Sequence, residues 1–218
     1  MKKLVSVLTV IAGIGLFMFG GCGNGGTFTE RAYASGETKI MNVVLDVSDR
    51  EVEVAVSSDN QVRIDYFESE KEYYSISEED GTLRMALVLD KEWTDFIGTK
   101  ADKAYRKIKL EVPSEYLNTI SVTTTNEKIK VAELKVNESI SLESNGGDVE
   151  FETLAAGEAI TLTAKNADIT GCVEGGWDDY TIRVTIKKGE SNLVDKEGGG
   201  KLLTVNCNNG NIDIDLKK

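Results

Sequence analysis

The residue types able to do chemistry in this chain are few, and one absence narrows them first. The 218 residues include no histidine. That excludes Ser-His-Asp and Cys-His catalysis, and zinc or haem held by histidine. Carboxylates, three cysteines and a few loop aromatics remain. Asp148 and Asp168 stand 20 residues apart at equivalent turn positions. Stacked together they would offer an acid–base couple or a hard oxygen site for calcium. Calcium-binding solenoids repeat every nine residues or so, whereas this spacing is about twice that, and Asn211 replaces the acid in the last unit. Turn capping by the side chains is the expected role, and no metal and no cofactor is expected. A hydrolytic pair of carboxyls needs a cleft about 5–10 Å across, and long loops to build one are scarce.

Cys172 and Cys207 are expected as free, largely buried thiols, because two coils of about 4.8 Å each would separate them beyond bonding reach. The aromatics give the better binding signal. Gly175-Gly-Trp177-Asp178-Asp179-Tyr180 reads as a lengthened return loop, and Trp93 and Phe96 sit in a second long loop. Aromatic rings beside carboxylates on a loop suit a sugar or a protein partner. The candidate binding residues are therefore Trp177, Asp178, Asp179, Tyr180 and Trp93. The competing reading is a tryptophan tucked over the end of the core. Gly198-Gly-Gly-Lys201 lacks the upstream glycine and the following Ser or Thr of a phosphate loop.

The elements that must hold these residues repeat. Apolar pairs recur at Ile120/Val122, Ile140/Leu142, Ile160/Leu162, Ile182/Val184 and Leu203/Val205, at spacings of 20, 20, 22 and 21. A second alternating stretch follows in most units: Ile129/Val131, Val149/Phe151, Ile169 and Ile212/Ile214, with Leu193 nearest to that role in the irregular fourth unit. Asn and Gly turns lie between, at Asn126, Asn145-Gly-Gly-Asp148, Asn166 and Asn209-Gly-Asn211. Such residues accept left-handed backbone cheaply. A single unit cannot bury its apolar face alone, whereas a stack can. The pattern predicts an all-β parallel solenoid of roughly 20-residue coils over 117–218, with Ile120, Ile140, Ile160 and Ile182 in one inward ladder. Ser121, Ser141, Thr161 and Arg183 would then face water. Residues 37–116 also alternate, less regularly, and predict the opening strands of the same system. Residues 90–107 read as a long loop.

The N-terminus reads as an address. Lys2 and Lys3 precede an apolar run from Leu4 to Phe19, then Gly20-Gly21-Cys22. This is a secretory signal layout over 1–21. The small residues before Cys22 resemble a bacterial lipobox, which implies lipidation at Cys22 and a Gly-rich flexible tether over 22–36. The formal net charge of −12 becomes −14 once Lys2 and Lys3 are removed. An acidic body is repelled by an anionic bilayer, and it is a poor match for nucleic acid.

The strands of 46–56, the Asp80-Gly81-Thr-Leu83 turn, the strand ending in Val112-Pro113 and the Gly/Asn-Asp-Ile repeats resemble the bacterial "putative adhesin" β-strand-repeat domain of unknown function. The resemblance spans roughly 37–216. It implies a right-handed parallel β-solenoid at the cell envelope, behind a lipid anchor. The expectation is a non-catalytic lipoprotein, held on the outer face of the membrane, that meets a surface protein or glycan. The alternatives are a carbohydrate-active β-helix enzyme and an envelope sensor or assembly factor with a membrane partner.

Overall fold

The computed structural model describes residues 27–90 and 100–218. The signal segment, Cys22, Trp93 and Phe96 lie outside the described residues. The first half contains β1 (Thr29–Ala34), β2 (Asn42–Asp46), β3 (Glu51–Val56), β4 (Arg63–Glu68), β5 (Glu72–Glu79), β6 (Thr82–Leu89) and β7 (Lys107–Val112). The regular repeats supply β8 (Thr119–Thr124), β9 (Ile129–Val131), β10 (Leu134–Val136), β11 (Ser139–Ser144), β12 (Val149–Phe151), β13 (Leu154–Ala156), β14 (Ala159–Ala164) and β15 (Ile169–Glu174). β16 (Tyr180–Lys188), β17 (Lys201–Asn209) and β18 (Ile212–Lys217) complete the chain.

The protein is all-β. Its strands form two sheets over one continuous core. The first runs β1-β4-β7-β3-β9-β12-β15-β13-β10, with β18 also on β15; the second runs β16-β17-β14-β11-β8-β2-β6-β5. From β8 to β14 the repeats stack in parallel and in register: Ile120 opposes Ile140, and Ile140 opposes Ile160. The ladder extends into the first half through Val43 and Leu83. No member of it, from Leu83 to Ile182, is more than 1% exposed. Register is tightly specified because a one-residue slip would turn every apolar side chain outward.

Three features depart from the expected uniform parallel coil. First, the sheets are mixed, because β1–β4, β4–β7 and β5–β6 pair antiparallel. The β5–β6 case follows from Asp80 and Gly81, which both take positive φ (49° and 71°). That is a two-residue hairpin turn, and a parallel neighbour would need a much longer crossover. Second, β1 occupies residues assigned to the tether; Thr29–Ala34 pairs with β4 along its whole length. Third, the coils are not stacked in chain order. β17 lies between β14 and β16, so Ile160 opposes Leu203, and Leu203 opposes Ile182. The same exchange occurs at the other end, where β2 lies between β8 and β6. Both outermost positions of the second sheet are therefore held by interior segments of the chain.

A column of small side chains runs beside the turns, and its polar members fasten them. Thr124 opposes Ser144, which opposes Ala164, which opposes Cys207. The Thr124 hydroxyl donates to the Arg50 carbonyl at 2.7 Å, and the Ser144 hydroxyl to the Glu127 carbonyl at 3.0 Å. The Cys207 thiol reaches the Ala167 carbonyl at 3.5 Å in the same way. Cys207 is thus a turn fastener in a coil series.

Candidate binding surface

The return loop singled out in the sequence becomes one 3-10 turn, Trp177–Asp179, leading into β16. Two of its four candidates hold it in place. Tyr180 is fully buried, and its hydroxyl donates to the Glu174 carbonyl at 2.7 Å. Burial, with the nearby Glu174 and Asp179 charges, pushes its pKa up to about 12. The Asp179 carboxylate accepts from the Gly176 amide at 2.7 Å, closing the turn. Gly175 has φ +130°, and a Cβ there would lie 2.7 Å from the Tyr180 ring, so the ring packs against bare backbone. The other two candidates face outward. Trp177 is 41% exposed. Asp178 is nearly fully exposed and pairs loosely with Lys196 at 3.7 Å. The structure thus brings together an aromatic ring and a carboxylate on a rigid base.

The position of this turn in the stack matters as much as its chemistry. It precedes β16, the outermost strand of the second sheet. β1 is the outermost strand of the first sheet at the opposite end. The eight strands of the second sheet, at a spacing of about 4.8 Å, span roughly 34 Å from β16 to β5.

The carboxylates expected in the turns are used by the backbone. Asp148 accepts from the Asp168 amide at 3.2 Å, Asp168 from the Asn211 amide at 2.7 Å, and Asn211 from the Glu190 amide at 3.0 Å. Each side chain caps the turn of the next coil, which is the turn-capping role read from the sequence. Among the described residues no cluster of three or more His, Cys, Asp or Glu side chains could hold a metal ion. Cys172 and Cys207 are free thiols. They sit on different sheets, β15 and β17, in adjacent coils, which corrects the two-coil separation expected from chain order.

The two outer faces differ. On the first sheet, Asp65, Lys109, Glu53, Lys130 and Glu150 stand opposite one another in successive strands, alternating in sign. Opposite charges directly across strands stabilise that register. Sequence reasoning missed a shallow groove of about 720 Å³ beside this row, lined by Ala55, Ala132, Glu152 and Gly171 among others. It follows the break where β9 gives way to β10 and β12 to β13. At that height β15 runs straight through, with Gly171 at φ +154° under the Phe151 ring. No periodicity marks such a break; the lone glycine inside β15 was its one signal. The second sheet presents hydroxyls instead: Ser121, Ser141, Thr161 and Thr204 form one row, ending at the exposed Arg183.

Comparison with known proteins agrees with this architecture. Residues 40–218 match the family described as Toastrack DUF4097. No curated protein matches the chain. A solved structure of a "putative cell adhesion protein" from Clostridium sporogenes is similar, with a TM-score of 0.55 and 11% identity, covering 88% of this chain and 100% of that one. A "putative adhesin" from Bacteroides fragilis matches at 0.41 and 13%, covering 85% and 96%. Another from Parabacteroides merdae matches at 0.40 and 16%, covering 88% and 82%. At these identities the likeness is one of fold, and the first of the three carries it.

Proposed function

The chain belongs to the Toastrack DUF4097 family, and from that premise we propose that it is a non-catalytic adhesion module of the bacterial cell envelope. In this reading residues 1–21 direct export and Cys22 carries a lipid on the outer face of the membrane. The tether is the Gly-rich stretch after Cys22 and ends before Phe28, whose ring is buried and stacks on Tyr105, and the coils wind as a right-handed parallel solenoid. The body's charge of −14 keeps it off the anionic surface. The ligand is a surface protein or glycan met by Trp177 and Asp178.

One observation carries this reading. The strand nearest the anchor, β1, and the exposed Trp177 turn lie at opposite ends of the stack. A rigid stack anchored at one end holds an aromatic, acidic tip away from the membrane at the other. The rest of the molecule is consistent with presentation: the turn acids are committed to backbone amides, and the fold likeness is to a protein described by adhesion.

The test is capture. The protein is immobilised and offered detergent-solubilised envelope and a panel of cell-surface glycans, beside a Trp177→Ala variant. Specific capture by the wild type, lost in the variant, is expected. Equal capture by both moves the site to the strand faces, and no capture by either removes the adhesion reading.

A further inference from the structure

The intercalated last coil has a consequence for how copies of this chain meet. β17 is held on both sides. Ile160 and Leu162 of β14 oppose its Leu203 and Val205, and Ile182 and Val184 of β16 oppose the same two residues. β18 lies on β15, with Ile169 opposite Ile212 and Val173 opposite Leu216, and the outer segment bridges it at Ser191. Residues 201–217 therefore fill a slot whose two walls are shaped by the ladder itself.

The outer wall closes on its own terms. Lys196 pairs with Ile182 in both directions, at 2.8 and 3.0 Å, and the Asp195 carboxylate accepts from the Val184 amide at 2.7 Å. Between this outer coil and β17 the chain runs through Gly198, Gly199 and Gly200. Gly199 crosses the Tyr180 backbone so closely that a Cβ there would lie 2.0 Å from its carbonyl carbon. A Cβ at Gly198 or Gly200 would meet nothing within 4 Å, and Gly198 has φ +96°. This is a hinge of three glycines, tight at its centre and free at both ends.

We propose that this slot accepts residues 201–217 of a second copy, so that two chains exchange their last coils. The occupant is set by the walls: residues 201–217 of a second copy match both sheets at once, with Leu203/Val205 on β14 and β16 and Ile212/Leu216 on β15. The exchanged form makes the same contacts as the closed one, and the hinge absorbs the difference in path. Domain exchange is a low-cost route to dimers on those terms. The proposal stands apart from the adhesion reading, because it concerns the end of the chain and uses no external ligand.

The test follows the β14–β17 contact, which becomes intermolecular on exchange. Two differently tagged full chains carry Cys22→Ser and Cys172→Ser. One also carries Thr161→Cys and the other Thr204→Cys, at positions directly opposite in the register. They are refolded together from urea and oxidised. A disulfide-linked heterodimer is expected, and a control pair of Thr161→Cys with Thr82→Cys, farther along the same face, should give little. No heterodimer, or an equal yield in the control, overturns the proposal. Deleting Gly198 and Gly200 should raise the dimer share several-fold on gel filtration, because a shortened hinge cannot close on its own chain. A folded deletion variant with an unchanged dimer share also overturns it.

Discussion

The Arg50 guanidinium lies inside the core, donating to the Glu72 carboxylate and, at 2.7 Å, to the Tyr74 hydroxyl. Both charged side chains are more than nine-tenths buried. Arg50 sits in the turn between β2 and β3, and Glu72 opens β5, so the pair ties the antiparallel hairpin to the first coil. Breaking a buried pair by removing one partner is strongly destabilising, by about 3–5 kcal/mol. Arg50→Leu should lower stability by that order in urea denaturation. The double variant Arg50→Leu/Glu72→Leu should recover much of the loss. A single variant as stable as wild type would show that the pair does not hold the hairpin.

Two adjacent glycines should respond differently to alanine. A Cβ at Gly147 would lie 2.0 Å from the Glu127 carbonyl carbon, where one coil's turn rests on the next. At Gly146 the nearest atoms are 3.2 Å away, on Asn126. Overpacking of this kind costs about 1–3 kcal/mol. Gly147→Ala should therefore shift the denaturation midpoint clearly, and Gly146→Ala much less. Equal effects would count against backbone contact between the turns.

Acid sensitivity should trace in part to Asp49. Burial pushes its pKa up, but hydrogen bonds from Asn126 and Lys100 and the Lys100 and Arg106 charges outweigh that and hold it below the ordinary aspartate value. A carboxylate whose folded pKa is depressed stabilises the fold above its unfolded pKa. That contribution is lost as pH falls through the folded value. Stability followed by thermal melting should thus decline below about pH 4, near the ordinary aspartate pKa. Asp49→Asn should flatten part of that decline; an acid limb unchanged in Asp49→Asn would assign it to other groups.

The two thiols should separate by reactivity. Burial, with the Asp168 charge, pushes the Cys207 thiol up, and Cys207 is buried where Cys172 is half-buried. Iodoacetamide should label Cys172 in the native protein and Cys207 only in urea. Because Cys207 occupies the position that Ser144 holds in another coil, Cys207→Ser should remain folded. Native labelling of both at one rate would place Cys207 nearer the surface than described.

How much of this was legible beforehand differs from element to element. The contact of Ile140 with Ile160 follows from a 20-residue spacing that no other arrangement uses as well. The order of the last two coils does not, because Ile182/Val184 and Leu203/Val205 carry the same alternation and fit β14 equally. Periodicity states which side faces in, and is silent on which coil lies next door. β1 escaped because Thr29–Ala34 is polar and follows a Gly-rich stretch; it becomes a strand only because β4 offers an edge. Nothing local in the sequence shows that Arg50 and Glu72 meet, 22 residues apart. In the candidate loop, Trp177 and Tyr180 are indistinguishable by type. One caps nothing and stays exposed, while the other starts a strand and points into the ladder.

β1 has one neighbour, and β17 has two. Tension entering through the N-terminal side therefore works first against the Phe28–Tyr105 stack, a single six-residue ladder and the Arg31–Glu68 pair at 2.8 Å. The coils behind it are bound on both flanks. Under load the molecule gives up one strand, about 20 Å of chain at roughly 3.4 Å per residue, before the stack is strained. The N-terminal margin acts as a mechanical fuse, and the Trp177 turn at the other end keeps its shape while the fuse extends.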